Sequence, residues 1–183
     1  GDIILSGGSN LATGYAEGVN GVIGNGVTLD RAELLSNGGN IVVRGKSATT
    51  STSIASTDDN SSFNTDGIRL HGGNTLDAGS GTISLTGIAQ GTDASSNGIE
   101  TNSVGYSTVR SSSSSANAIS FYGDATAGSA SNGWGTFLWG TNTSGILLAA
   151  TGAGGGISLD GYGRNVANGG GTHLEPNAFV LAA

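Results

Sequence analysis

Leu76-Asp-Ala-Gly-Ser-Gly-Thr-Ile-Ser-Leu-Thr-Gly87 is the stretch on which the fold turns. Ile83 and Leu85 stand one residue apart, so in a strand they face one way while Ser84 faces the other. The same seven-residue figure recurs as Gly1-Asp-Ile-Ile-Leu-Ser-Gly7, Gly39-Asn-Ile-Val-Val-Arg-Gly45, Asn117-Ala-Ile-Ser-Phe-Tyr-Gly123 and Gly155-Gly-Ile-Ser-Leu-Asp-Gly161. Its third position is Ile3, Ile41, Ile83, Ile119 and Ile157; its fifth is Leu5, Val43, Leu85, Phe121 and Leu159. The isoleucines lie 38, 42, 36 and 38 residues apart. A strand this short cannot bury its apolar face alone, but a stack of such strands can, with Ile forming one ladder and Leu/Val/Phe another.

A second series is interleaved with the first. It reads Asn25-Gly-Val-Thr-Leu29, Asp66-Gly-Ile-Arg-Leu70, Asn97-Gly-Ile-Glu-Thr101, Ser144-Gly-Ile-Leu-Leu148 and Asn177-Ala-Phe-Val-Leu181. Taken together, the two series predict a coil of about 40 residues with three faces. These are the Asn-Gly strand, a middle strand such as Asn74-Thr-Leu-Asp-Ala78, and the Gly-x-Ile strand, followed by a long polar return. The expected fold is therefore all-β: a single-stranded parallel β-helix of four to five coils, right-handed, with long Ser/Gly/Asn-rich loops. A smaller coil of about 20 residues is the competing reading. Asn-Gly, Asp-Gly and Gly-Gly pairs are expected to supply the positive φ of tight corners.

Composition agrees with a repeat protein and excludes several functions. The chain has 183 residues, 35 of them Gly and one Pro, and only 10% are charged. That is enough for one domain, residues 1–183. The formal net charge is −7 with six Lys+Arg in all, which disfavours nucleic acid and anionic lipid. No apolar run approaches the roughly 20 residues needed to span a bilayer as a helix. The absence of Cys removes disulfides and thiolate metal sites. Gly1-Asp-Ile-Ile-Leu5 already reads as a strand. The chain is thus expected to be a segment of a longer protein or a filament subunit.

The repeat style of Leu76–Gly87, of the Asn-Gly-Ile/Val-x-Leu strands and of Gly155–Gly161 resembles the filamentous-haemagglutinin-like repeats of secreted bacterial adhesins, of the two-partner-secretion and autotransporter type. The resemblance spans nearly the whole chain. It implies a shaft at the bacterial surface or outside the cell, working in attachment, aggregation or biofilm, with self-association or surface glycans as partners. It carries over no catalytic residue and no cofactor.

Enzymatic β-helices project carboxylates together from adjacent coils. The outward columns of the Gly-x-Ile strand read Ser6, Arg44, Thr86, Tyr122, Asp160 and Ile4, Val42, Ser84, Ser120, Ser158, and neither gathers acids. The outward column of the second series reads Thr28, Arg69, Glu100, Leu147, Val180, which puts Arg69 beside Glu100 as a surface ion pair. A polysaccharide lyase or hydrolase would need loop acids such as Asp124 with Asp160. His71 and His173 read as isolated loop residues. Asp58-Asp59 and Asp66 are the only candidates for Ca²⁺, without the repeated calcium nonapeptide. Gly152–Gly156 lacks the Lys and helix of a phosphate loop. An ice-binding Thr array is interrupted by Arg44, Tyr122 and Asp160. Trp134, Phe137 and Trp139 remain: they either cover the solenoid wall or contact glycan or a partner.

Overall fold

A computed structural model describes residues 1–20, 24–50, 65–92, 95–101, 104–141 and 143–182. Every element among them is a strand. The first coil holds β1 (Ile3–Leu5), β2 (Ala16–Glu17), β3 (Val27–Asp30) and β4 (Glu33–Leu35). The second holds β5 (Ile41–Lys46), β6 (Ile68–His71) and β7 (Thr75–Asp77). The third is β8 (Ile83–Ile88), β9 (Ile99–Thr101) and β10 (Tyr106–Ser111). The fourth is β11 (Ile119–Asp124), β12 (Asn132–Leu138) and β13 (Gly145–Ala150), and the fifth is β14 (Ile157–Tyr162), β15 (Asn168–Leu174) and β16 (Ala178–Ala182).

Corresponding strands of successive coils pair in parallel and build three sheets. The first runs β1-β5-β8-β11-β14 with β2 also on β5, the second β3-β6-β9-β12-β15, and the third β4-β7-β10-β13-β16. This is the three-faced, roughly 40-residue coil of a parallel β-solenoid. The two ladders are in register: Ile3–Ile41–Ile83–Ile119–Ile157, and one pleat on Leu5–Val43–Leu85–Phe121–Leu159. In the three central coils these side chains are sealed from water, and those of the end coils are partly buried. Each fully buried one stabilises the fold by roughly 1.5–3 kcal/mol.

Three details differ from the sequence reading. First, the second series mixes two sheets. Val27, Ile68 and Ile99 lie in the second sheet, but Ile146 belongs to β13 of the third, in register with Ser107 and Ala178. The second sheet continues instead through Thr136 and Thr172. Second, Gly7 does not oppose Gly45. The chain leaves the wall after Leu5 and returns at β2, where Ala16 pairs with Gly45. The detour is tied down by the Ser6 hydroxyl, which donates to the Leu11 carbonyl at 2.8 Å.

Third, the expected positive φ is found at the Asn37-Gly38 and Gly72-Gly73 pairs, but not at the glycines of three other Asn-Gly and Asp-Gly pairs, Gly26, Gly67 and Gly98. They are small because the first and second sheets touch there. A Cβ on Gly123 would lie 1.9 Å from the Gly135 carbonyl oxygen, and one on Gly67 would lie 2.3 Å from the Ile88 nitrogen. The left-handed corners are elsewhere: Gly72 and Gly73 turn between the second and third sheets, where the first coil uses Arg31 at φ 49°.

Polar ladders accompany the apolar ones. Asp2 Oδ1 accepts from the Asn40 N–H at 2.7 Å, and Asn40 Oδ1 from the Thr82 N–H at 2.9 Å. Each such carboxyl or amide oxygen satisfies a backbone donor of the next coil, as a buried N–H requires.

Candidate functional site on the outer face of the second sheet

Ile68, Leu70 and Ile99 point into the core, so the alternating residues Arg69, His71 and Glu100 point out of the barrel. The register places Thr28, Arg69, Glu100, Phe137 and His173 in one outward column. The last two replace the expected Leu147 and Val180, which lie on the third sheet. The second sheet and its flanks thus gather many of the polar and aromatic residues that the sequence singles out: Asp66, Arg69, His71, Glu100, Trp134, Phe137, Trp139 and His173.

The column is not the exposed ion pair that the sequence suggests. Arg69 is 8% exposed, His71 6%, Glu100 7% and Asp66 not at all. An amide ladder holds the cluster. Asn25 Oδ1 accepts from the Asp66 N–H at 2.9 Å, Asp66 Oδ1 from the Asn97 N–H at 2.9 Å, and Asn97 Oδ1 from the Trp134 N–H at 3.0 Å. Asn97 Nδ2 donates to Glu100 Oε2 at 2.5 Å.

Burial, and then the neighbouring Glu100 carboxylate, push the Asp66 carboxyl well above the ordinary carboxylate range. The Arg69 charge and the Asn97 N–H oppose this. Burial thus disfavours the charged form of Asp66, whose Oδ2 is sealed from water.

Paired carboxyls such as Asp66 and Glu100 are the raw material of acid–base chemistry. Here both sit in the wall of the rod, fixed by ladder hydrogen bonds, and what they do locally is bind successive coils together. The other proposed pair, Asp124 and Asp160, lies on adjacent coils of the first sheet. Asp160 is in register with Tyr122 and Asp124 with Tyr162, so the two acids are diagonal. Asp124 Oδ1 caps Thr126 through its N–H at 2.8 Å and its hydroxyl at 2.7 Å, and Asp160 Oδ2 accepts from Ser158 at 2.9 Å.

The histidines are strand residues with acidic partners rather than isolated loop residues. His71 Nδ1 lies 3.0 Å from Asp30 Oδ1, and His173 Nε2 lies 3.0 Å from Glu175 Oε1. Among the described residues no three His, Cys, Asp or Glu side chains are placed to hold a metal ion. Asp58 and Asp59 lie outside the described residues.

Trp134, Phe137 and His173 form a packed aromatic group. Trp134 stacks on Phe137 at 6.3 Å, and His173 lies 4.6 Å from Trp134 and 5.1 Å from Phe137. Trp139 meets the edge of Phe137 at 5.4 Å and stays 38% exposed. Trp134 and Phe137 therefore cover the wall, and Trp139 is the member that presents its ring to solvent.

One functional-looking residue escaped the sequence reading. Arg164 is 9% exposed and reaches back across the coils. Its Nη2 donates to the Ser96 carbonyl at 3.1 Å, and its Nη1 to those of Gly91 and Ala130, each at 3.4 Å. Nothing in the local sequence marks it, because its partners are backbone atoms of earlier coils. Compared with protein-family models, curated proteins and solved structures, the chain matches none.

Proposed function

We propose that this chain is a stretch of an adhesive or structural shaft that works outside a bacterial cell, in the manner of filamentous-haemagglutinin-like repeats. The observation that carries the reading is the continuity of the in-register ladders through all five coils. Such a stack has stiffness and length as its product, and its outer wall is free for contact. Several charged groups of the wall support a structural role by pairing across coils, as Arg110 does with Asp77 and Lys46 with Glu17. In this reading the shaft carries no cofactor and performs no catalysis, and its partners are copies of itself and surface glycans. Beads coated with the purified chain should clump with one another or settle on cell layers and polysaccharide films. Coated beads that disperse and wash off like uncoated ones would refute the proposal.

A second reading is a glycan-binding module, favoured by the exposed ring of Trp139 beside Phe137 and the neighbouring Glu175. An aromatic face stacks on a sugar ring, and carboxylate oxygens take its hydroxyls. Its test is the Trp139 substitution described below.

A further inference from the structure

The outer face of the first sheet carries a charge order that a second copy of the chain would match. Two outward columns run its length in register. One reads Arg44, Thr86, Tyr122, Asp160; the other reads Lys46, Ile88, Asp124, Tyr162. Both begin with a cation in the second coil, and both carry an acid in the fourth or fifth. Lys46 is also paired with Glu17 at 3.2 Å, and Arg44 spends one N–H on the Leu11 carbonyl at 3.4 Å. That leaves one net positive charge at this end. Among the described residues no cation pairs with Asp124 or Asp160, so the other end carries two negative charges. Between the ends lie Ser84 and Ser120, and the two tyrosines of the acidic end, Tyr122 and Tyr162, are 36% and 53% exposed. Burial and the nearby Asp124, Tyr162, Tyr15 and Asp160 hold the Tyr122 hydroxyl neutral, above its ordinary range.

We infer that two copies pair laterally through this face, with their long axes antiparallel. The inference rests on the shaft reading and names one of its partners. A two-fold axis along the strand direction, between the third and fourth coils, keeps each column in place and exchanges the second coil with the fifth. Arg44 of one copy then meets Asp160 of the other. Lys46 meets the Tyr162 ring and, one coil away at about 4.8 Å, the Asp124 carboxylate. Thr86 meets Tyr122 near the axis, and the pairing repeats on the far side, as an isologous contact requires. A parallel pairing would set like charges against each other. Four coils of six-residue strands offer roughly 400 Å² per partner. That is at the low end for a specific contact, and the pair is expected to be reversible and micromolar.

The test is sedimentation of the whole chain from low to high micromolar concentration, with zero-length carbodiimide coupling. Lys46 is the only lysine, which makes its cross-links simple to read. A dimer is expected, weakened by high salt, with Lys46 joined to Asp124 or Asp160 across it. Arg44→Asp and Asp160→Arg should each weaken pairing at least about tenfold, and the double exchange should restore it. The substituted residues face outward, and circular dichroism checks that each variant folds. A monomer throughout, a dimer indifferent to both exchanges, or intermolecular links only elsewhere would overturn the inference. None of these results bears on attachment of coated beads to cells or polysaccharide, so the shaft reading stands or falls separately.

Discussion

Gly87 and Gly98 meet backbone to backbone: a Cβ on Gly87 would lie 1.9 Å from the Gly98 carbonyl oxygen. The contact repeats as Gly45 with Gly67, Gly123 with Gly135 and Gly161 with Gly171. The glycine that closes the Gly-x-Ile figure in the second to fifth coils is therefore a packing residue, where two sheets pass with no room for a methyl group. Gly87→Ala and Gly123→Ala should each cost about 3 kcal/mol or more, since neither backbone can withdraw without breaking its ladder. Thermal unfolding of the two variants measures this. Melting points unchanged from the parent would show that the sheets do not touch.

Asp66 offers a pH-dependent test. Its folded-state pKa is raised by burial and by Glu100. The stability it contributes is thus fully present below the unfolded carboxylate range, and it is lost as pH rises through the folded value. Asp66→Asn keeps an oxygen for the Asn97 N–H and gives Glu100 a permanent donor. The variant should melt higher than the parent at neutral pH, and the gap should close as pH falls. Melting curves between pH 4 and 8 decide it; a variant less stable at neutral pH would contradict the buried acid pair.

Arg164 ties the fifth coil to the third and fourth through three carbonyls. Charge-assisted bonds of this kind are worth about 1.5–3 kcal/mol, and removal leaves buried carbonyls without donors. Arg164→Ala should cost about 3 kcal/mol and raise amide exchange selectively in β14 and β15. Uniform or absent changes in exchange would show that the staple carries no load.

Trp139→Ala separates the two functional readings. Trp139 is on the surface, so its loss should leave the melting point within about 1 kcal/mol of the parent's stability. If a glycan stacks there, retention on that polysaccharide should fall at least about tenfold. Unchanged retention would leave the aromatic group as wall covering alone.

The ladders of the first sheet were legible because Ile recurs at one inward position and Leu, Val or Phe at the next, with Ser between them in the third to fifth coils. The division between the second and third sheets was not. Gly67-Ile68-Arg-Leu70 and Gly145-Ile146-Leu-Leu148 look alike, although one packs against the first sheet and the other starts the third. In the fourth coil Thr136 stands where Ile68 and Ile99 stand earlier, so the true strand carries a weaker apolar signal than its neighbour. The glycine pairing would have found it: Gly123 needs a small partner about a dozen residues on, and Gly135 supplies one. Of the candidate site, Trp134, Phe137 and Trp139 were visible as a cluster. Their neighbours His173 and Glu175 come from the next coil, and such cross-coil adjacency depends on loop lengths that vary. Asp66 stood out only as a candidate for Ca²⁺, since no local pattern tells a buried ladder residue from a turn residue.

The proposed shaft holds or attaches and does no chemistry. The most direct measurement incubates the purified chain with a panel of polysaccharides, scoring retention and newly formed reducing ends together. Retention on one or more of them, with no new ends from any, is the predicted result. Release of ends from any polysaccharide would contradict the claim and turn attention to Asp66 and Glu100.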